Sequence, residues 1–462
     1  MNDSIISLLN CLIFFPIRNY KLSRKLTPRH EWTTRRLIAS CNKKSKLYKD
    51  YMKNQSVQNK CIYVKFRNKL KTVLNLAKEK FYENKFNAVD GNIRKTWYIL
   101  NNITNRNKTD TLSTTFVKDG ILITCAKEIV KHFNDYFVNI GPLLAKDIPN
   151  VTKHFTDYMG TSPAKSLAMF LTNSNEVIDH THQLKNKSSF GTDGIPMDII
   201  KNCIHFIAEP LASLINCSFR TGRFPDQLKI AKVCPIFKSG SKTDLGNYRP
   251  ISILSSFSKI FEKIASNRLQ TFLYANDTLT TSQYGFRPKH STYMALLDMY
   301  DNISNSLDRG LYSLGIFIDL SKAFDTINHG ILIKKLECYG VRGLALEWFI
   351  DYLSNRKQCV FYNNIMSDFK DVSCGVPQGS IFGPLLFIIY INDIQKCSNL
   401  FKFILFADDT NLFASNNNLN DLMSSVNDEL VNLNQWFMAN KLSLNVKKTN
   451  YILFGRKGKN VH

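Results

Sequence analysis

The sequence predicts an α+β fold preceded by a basic, mainly helical N-terminal region, and three observations carry the prediction. From Ser188 onward, short apolar runs alternate with Gly, Pro and Asn turns and with helical patterns, the texture of strands and helices mixed in one domain. Two of those apolar runs, 314–318 and 403–407, lead straight into aspartates. Upstream, from Arg18 to Lys85, 20 Lys/Arg stand against 4 Asp/Glu, so two thirds of the formal net charge of +24 sits in one early block.

The 462 residues, 44% of them hydrophobic, are enough for two or three domains with buried cores, which excludes a disordered tail. The excess of 61 Lys/Arg over 37 Asp/Glu points to a polyanionic partner. Eleven cysteines form no C-x-x-C pair and no Cys/His cluster at zinc spacing, the pattern of reduced thiols in an intracellular protein. The one early apolar stretch, Ile5 to Ile17, is too short to span a bilayer, contains Asn10 and Pro16, and follows Asp3 where a secretion signal is positive. It reads as a buried segment, so neither a membrane span nor secretion is expected.

Taken in order along the chain, the basic block contains an amphipathic helix. Phe66, Leu70, Val73, Leu74, Ala77 and Phe81 recur at helical spacing with Lys69, Lys71, Lys78 and Lys80 between them. A second helix is expected from Ala126 to Ile140, with Ile129, Val130, Phe133 and Phe137 as its stripe and Gly141-Pro142 as its end. The stretch from there to about residue 183 carries no chemical signal. Leu314 to Ile318 reads as a buried strand ending at Asp319, and Phe403 to Ala407 runs into Asp408-Asp409 before Thr410 to Phe413 returns, a β-hairpin with two acids at its tip. Between them, Gly375-Val376-Pro377-Gln378-Gly379-Ser380 is a loop whose glycines allow close backbone approach to a ligand. Gln378 there is a two-sided hydrogen bonder suited to a nucleotide or a template strand. The apolar run from Ile381 to Ile391 contains Pro384 and suits a core helix.

Adjacent carboxylates after apolar strands repel one another and need a cation. Mg²⁺ takes hard oxygen ligands, and a pair of such ions clamps the attacking and leaving oxygens of a phosphoryl displacement. Taken singly, Asp-Asp reads equally as a turn and Asp319 as a helix cap; the two strand ends together favour the metal.

In order, these segments resemble the polymerase motifs of reverse transcriptases from non-LTR (LINE-type) retrotransposons, the jockey group above all. The likeness runs from Ser188 to Pro196, in a motif near 188–201 that precedes the polymerase proper, through Val233 to Lys238, Asn247 to Ser252 and Gln283 to Arg287. It continues through Asp319 to Asp325, Pro377-Gln378-Gly379, Phe406 to Asp409, and Leu444-Asn445 to Lys448-Thr449. Ile381-Phe382 stands where Val-Leu is more usual, and Phe406 where Tyr is common.

The resemblance implies a right-hand polymerase, with fingers and an antiparallel palm sheet flanked by helices, that copies RNA into DNA. Asp319, Asp408 and the backbone of Leu320 would hold two Mg²⁺ ions, or Mn²⁺, with Asp409 in support as a third catalytic carboxylate. Lys238 and Arg249 would grip the incoming dNTP, Gln378 would contact it, Phe324 would block a ribose 2′-OH, and Lys448 would act near the leaving pyrophosphate. Gln283, Arg287 and Gly379 would touch nucleic acid. The expected partners are an RNA template, a DNA primer, dNTPs and an element RNA in a ribonucleoprotein, with nuclear or cytoplasmic localisation and no membrane. The expected division is 1–217 as a basic helical extension and 218–462 as a reverse transcriptase domain without its thumb. Truncation at both ends is also expected, because neither a nuclease nor a terminal Cys/His cluster is seen. Two other readings fit: an RNA-dependent RNA polymerase, in which Asp325 reads the ribose hydroxyl, and an RNA-binding remnant without activity.

Overall fold

The computed structural model describes residues 31–89, 91–104, 113–118, 120–149 and 151–455. The apolar stretch from Ile5 to Ile17 and the first residues of the basic block lie outside them. The chain divides into two compact units, one within 15–112 and one that runs from Ser113 onward.

In the first unit, α1 (Arg35–Lys53), α2 (Val57–Asn87) and α3 (Ile93–Ile103) follow one another. Thr34, Ser56 and Asn92 each accept a backbone N–H of the first turn, and so supply the orphan donors at three helix starts. The apolar stripe expected on 66–81 lies on α2, where Leu70 is buried.

The second unit holds two sheets. In the first, β5 (Tyr312–Ile318), β9 (Lys402–Phe406), β10 (Asp409–Asn416) and β11 (Asn450–Phe454) lie in the order β11-β5-β10-β9, all antiparallel. In the second, β3 (Ile230–Phe237) pairs antiparallel with β4 (Tyr248–Leu254) and parallel with β6 (Arg356–Tyr362), which also carries β7 (Ile365–Met366) and β8 (Lys370–Val372). A small hairpin of β1 (Phe116–Lys118) and β2 (Ile121–Ile123) precedes them. The antiparallel sheet with helices against it is the α+β palm that the sequence led one to expect.

The larger core joins α5 (Ser174–Gln183), α6 (Met197–Thr221), α7 (Ser256–Ala275), α9 (His329–Cys338), α10 (Leu344–Leu353), α11 (Phe382–Tyr390) and α12 (Leu419–Ala439) to the inner side of β5, β9 and β10, while α8 (Thr292–Asp308) packs through Ala295 with Ile404 and Phe413. Trp348, Tyr352, Tyr390 and Trp436 are fully buried in it. Helix α6 runs through position 217, and its residues on both sides, Ile215 and Phe219 among them, lie in this core. The run from Ile381 is a core helix as expected, buried at every position of α11 except Pro384.

A second core places α4 (Ala126–Lys146) on the β3-β4-β6 sheet, through Phe133 and Phe137 against Val233, Tyr248, Val360 and Tyr362. Gly141-Pro142 does not end this helix, which runs on to Lys146. Pro142 removes only one backbone donor, and Gly141 is there for closeness: a Cβ at that position would strike the Asp325 carbonyl oxygen and Cys374 Sγ.

Candidate active site

The end of β5 and the β9–β10 hairpin meet in register. Thr410 faces Ile318, so the next pair brings Asp409 beside Asp319, with Ala407 and Asp408 forming the two-residue turn. Ala407 carries a φ of +58°, which is costly for a residue with a Cβ and is held by its surroundings. Gln283 supplies the hold: its Oε1 accepts the N–H of Ala407 at 3.0 Å and that of Gly285 at 2.7 Å. Gly285 is glycine because a Cβ would collide with the backbone nitrogen of Ala407.

The structure therefore corrects the reading of Gln283 as a nucleic-acid contact. Its side chain is buried and shapes the turn from behind. Arg287 is likewise engaged inward, donating Nη1 to the carbonyl of Thr280 at 2.6 Å and lying over the Tyr274 ring.

Asp319 is clamped from the far side by the segment before β11. The Asn445 amide Nδ2 donates to Asp319 Oδ2 at 2.7 Å, and the Asn445 N–H donates to the Asp319 carbonyl at 2.9 Å. Lys448 Nζ stands 3.8 Å from the same carboxylate, an exposed pair worth at most about 1 kcal/mol. Leu320 is buried and bridges to Leu444. Nothing in the spacing of Asn445 along the sequence shows that it reaches back to Asp319.

Lys238 and Arg249 come from the β3–β4 hairpin, where Arg249 pairs with Ile236 and the Lys238 N–H bonds the Asn247 carbonyl at 2.9 Å. The Lys238 ammonium is held below the usual lysine range, by burial first and then by the charges of Lys448 and Arg249, with Asp319 opposing. These three cations thus feel one another across the mouth of the acidic strand ends. Lys322, not singled out in the sequence, adds a fourth: it has a φ of +52° and its Nζ donates to the carbonyls of Gly246 at 3.2 Å and Tyr248 at 3.4 Å. It ties the turn after Asp319 to the hairpin that carries Lys238 and Arg249.

Phe324 is half-buried, stacked on Phe387 with centroids 4.8 Å apart and meeting exposed Phe286 edge-on at 6.4 Å. Gly379 has a φ of +124°, and a Cβ there would lie 2.5 Å from the Ser252 carbonyl oxygen. It therefore seats the loop on β4 and is itself exposed. Gln378 donates Nε2 to Asp325 Oδ1 at 2.8 Å. Helix α11, directly after this loop, starts over the buried carboxylate of Glu262, which accepts the Ile381 N–H at 2.7 Å and the Tyr352 hydroxyl at 2.9 Å. Burial pushes the Glu262 carboxyl up, and the Arg356 charge opposes the rise.

The donors fit a divalent cation in chemical kind. Asp319, Asp408 and Asp409 offer hard oxygens, and the Asp409 carboxyl is raised by partial burial and then by the charges of Asp408 and Asp319, a repulsion that a cation relieves. Among the described residues no cluster of three or more His, Cys, Asp or Glu side chains is already drawn together as a ligand set.

Residues 238–461 match the family described as reverse transcriptase (RNA-dependent DNA polymerase). The chain is 32% identical over 289 residues to the probable RNA-directed DNA polymerase from transposon BS of Drosophila melanogaster, covering 59% of this chain and 31% of that protein. It is 26% identical over 316 residues to the RNA-directed DNA polymerase from mobile element jockey of the same species, covering 67% and 34%. With the jockey polymerase of Drosophila funebris it shares 24% over 422 residues, covering 89% and 46%. The chain thus spans between about a third and a half of the length of these relatives.

Proposed function

From the premise that residues 238–461 are a reverse transcriptase domain of the kind carried by non-LTR retrotransposons, we propose that this chain adds dNTPs to a DNA 3′ end on an RNA template. The observation that carries the reading is the meeting of Asp319 with the Asp408-Asp409 turn, beneath the cations Lys238, Arg249 and Lys448. Reverse transcriptases use divalent metal ions; here we take the ion to be Mg²⁺, held by Asp319, Asp408 and the Leu320 carbonyl. Its chemistry, when bound, is to stabilise negative charge on the attacking and leaving oxygens.

The chain's own residues do the rest. Asp409 adds negative potential without needing to be a ligand. Asn445 holds the Asp319 carboxylate in one orientation, so that it is pre-organised before substrate arrives. Lys238 and Arg249 bind the triphosphate, Arg249 with a planar fork that matches phosphate oxygens. Lys448, 3.8 Å from the Asp319 carboxylate, would donate a proton to the departing pyrophosphate, and Phe324 would wall the sugar. The template RNA and this chain form an intracellular ribonucleoprotein in this reading, with the basic N-terminal unit on the RNA backbone. Among the described residues no helix is long and apolar enough to cross a membrane.

The test is primer extension by the full chain on an RNA template with dNTPs and Mg²⁺. Product with dNTPs supports the reading; product with rNTPs alone, or none under any condition, rejects it.

A further inference from the structure

Asp325 is a half-buried acid, one carboxylate oxygen of which is fully buried, and the polymerase reading has no use for it. It lies six residues beyond Asp319, yet the turn between them carries it away from the metal carboxylates. The Asp325 N–H bonds the Lys322 carbonyl at 2.8 Å, and the positive φ of Lys322 reverses the chain there. The side chain then points beneath the loop 374–379. One oxygen, Oδ1, accepts Gln378 Nε2 at 2.8 Å; the other, Oδ2, is buried and has no hydrogen-bond partner among the described residues.

The loop backbone does not depend on this contact. Gly375 N–H bonds the Ile327 carbonyl at 2.8 Å, Val376 N–H bonds the Phe324 carbonyl at 2.9 Å, and the Gln378 carbonyl accepts the Ser252 N–H at 2.8 Å. Cys374 Sγ donates to the Asp325 carbonyl at 3.4 Å, and Gly375 lies so close that a Cβ would stand 2.9 Å from that same oxygen. What the backbone leaves undetermined is the direction of the Gln378 amide. An ionised carboxylate accepts only, so it selects the NH₂ end of the amide and turns the carbonyl oxygen away, toward whatever occupies the site.

We propose that Asp325 is a positioning residue that fixes which face of the Gln378 amide meets the incoming nucleotide, and that it does not itself contact the ribose. The inference rests on the polymerase reading above. An asparagine at 325 keeps the shape but presents both a donor and an acceptor, so the Gln378 amide can sit either way round. One of its two orientations then faces the nucleotide wrongly.

The experiment is a double-mutant cycle on the full chain, with Asp325→Asn and Gln378→Ala, reading the KM for dNTP and kcat separately and following folding by thermal unfolding. In the parent background Asp325→Asn is expected to raise KM about tenfold, a cost of about 1.4 kcal/mol, with kcat within about twofold. In the Gln378→Ala background the same substitution should move KM less than about twofold, because the amide it orients is gone. The dNTP-to-rNTP preference should follow Gln378 and be indifferent to residue 325 once Gln378 is removed. An undiminished KM effect in that background, or a preference for dNTP that changes with residue 325 there, overturns the inference while leaving the polymerase reading intact. If Asp325→Asn lowers the unfolding temperature and kcat together, Asp325 is a core support and the inference also fails. A parent chain with no RNA-templated extension rejects the polymerase reading and this inference with it.

Discussion

In the proposed reading the residues at the strand ends carry the chemistry, and their substitution is expected to separate catalysis from binding. Asp319→Asn or Asp408→Asn should abolish Mg²⁺-dependent extension while nucleic-acid affinity stays near that of the parent, since an amide cannot replace a charged oxygen ligand. Extension within about tenfold of the parent in both variants, about 1.4 kcal/mol of barrier, would reject the site. Phe324 stacks on Phe387 and so packs against the core, while the proposed reading also makes it the wall of the sugar site. Phe324→Val is expected to lower the ratio of dCTP to CTP incorporation rates, because discrimination by a clash disappears when the ring does. An unchanged ratio would leave Phe324 as packing alone. Asp325 supplies a pH test of stability. Burial first, against the opposing Gln378 bond and Lys322 charge, raises its carboxyl to about 6 from an ordinary value of 3.8. The folded chain therefore holds this proton more tightly than the unfolded one. The resulting stabilisation is complete below about 3.8 and is lost as pH rises through about 6, a difference of about 3 kcal/mol in all. Asp325→Asn should accordingly unfold at a higher temperature than the parent at pH 8, with the gap closing toward pH 4. A gap that does not change with pH would mean the carboxyl is not perturbed.

Elements explain what could be read from the sequence and what could not. The β9–β10 hairpin and β5 were legible because apolar runs ending in acids leave few other conformations, and α11 because an eleven-residue apolar run must be buried. Helix α4 passed through Gly141-Pro142 because the demand for close packing on Asp325 and Cys374 outweighed one lost hydrogen bond, and no local rule contains that partner. Gln283 was expected at nucleic acid through the resemblance alone; its role as a backbone acceptor became visible only when Leu405 and Ala407 were placed beside it. Asn445 and the Asp325–Gln378 pair join residues 126 and 53 positions apart, beyond the reach of periodicity. The hairpin makes its own prediction. Gln283→Leu should destabilise the fold by about 2 to 6 kcal/mol, since two buried N–H groups lose their acceptor at about 1 to 3 kcal/mol each. Denaturant unfolding measures this directly. Unaltered stability with weakened nucleic-acid binding would restore the contact role expected from the sequence.

At the scale of the whole molecule, the densest positive charge and the strand-end carboxylates belong to different units. The block from Arg18 to Lys85 holds a net excess of 16 positive charges, and the part of it that is described is largely two helices with exposed lysines. Its deletion should weaken binding to unrelated single-stranded RNAs and flatten the dependence on salt. Each lost phosphate contact removes about 0.7 from the log–log slope, so five contacts amount to about 3.5. Affinity and slope that survive the deletion would place the RNA on the second unit alone. The sheet order β11-β5-β10-β9 governs the time at which the candidate site comes together. Its inner strand β5 is made early and the neighbouring β11 late, so on the ribosome the Asp319 carboxylate waits for Asn445. At about 5 to 20 residues per second that wait lasts roughly 6 to 25 s. Until then the nascent chain carries the Asp319 carboxylate without the amide that orients it, so the proposed site is finished only once the segment ahead of β11 has been made.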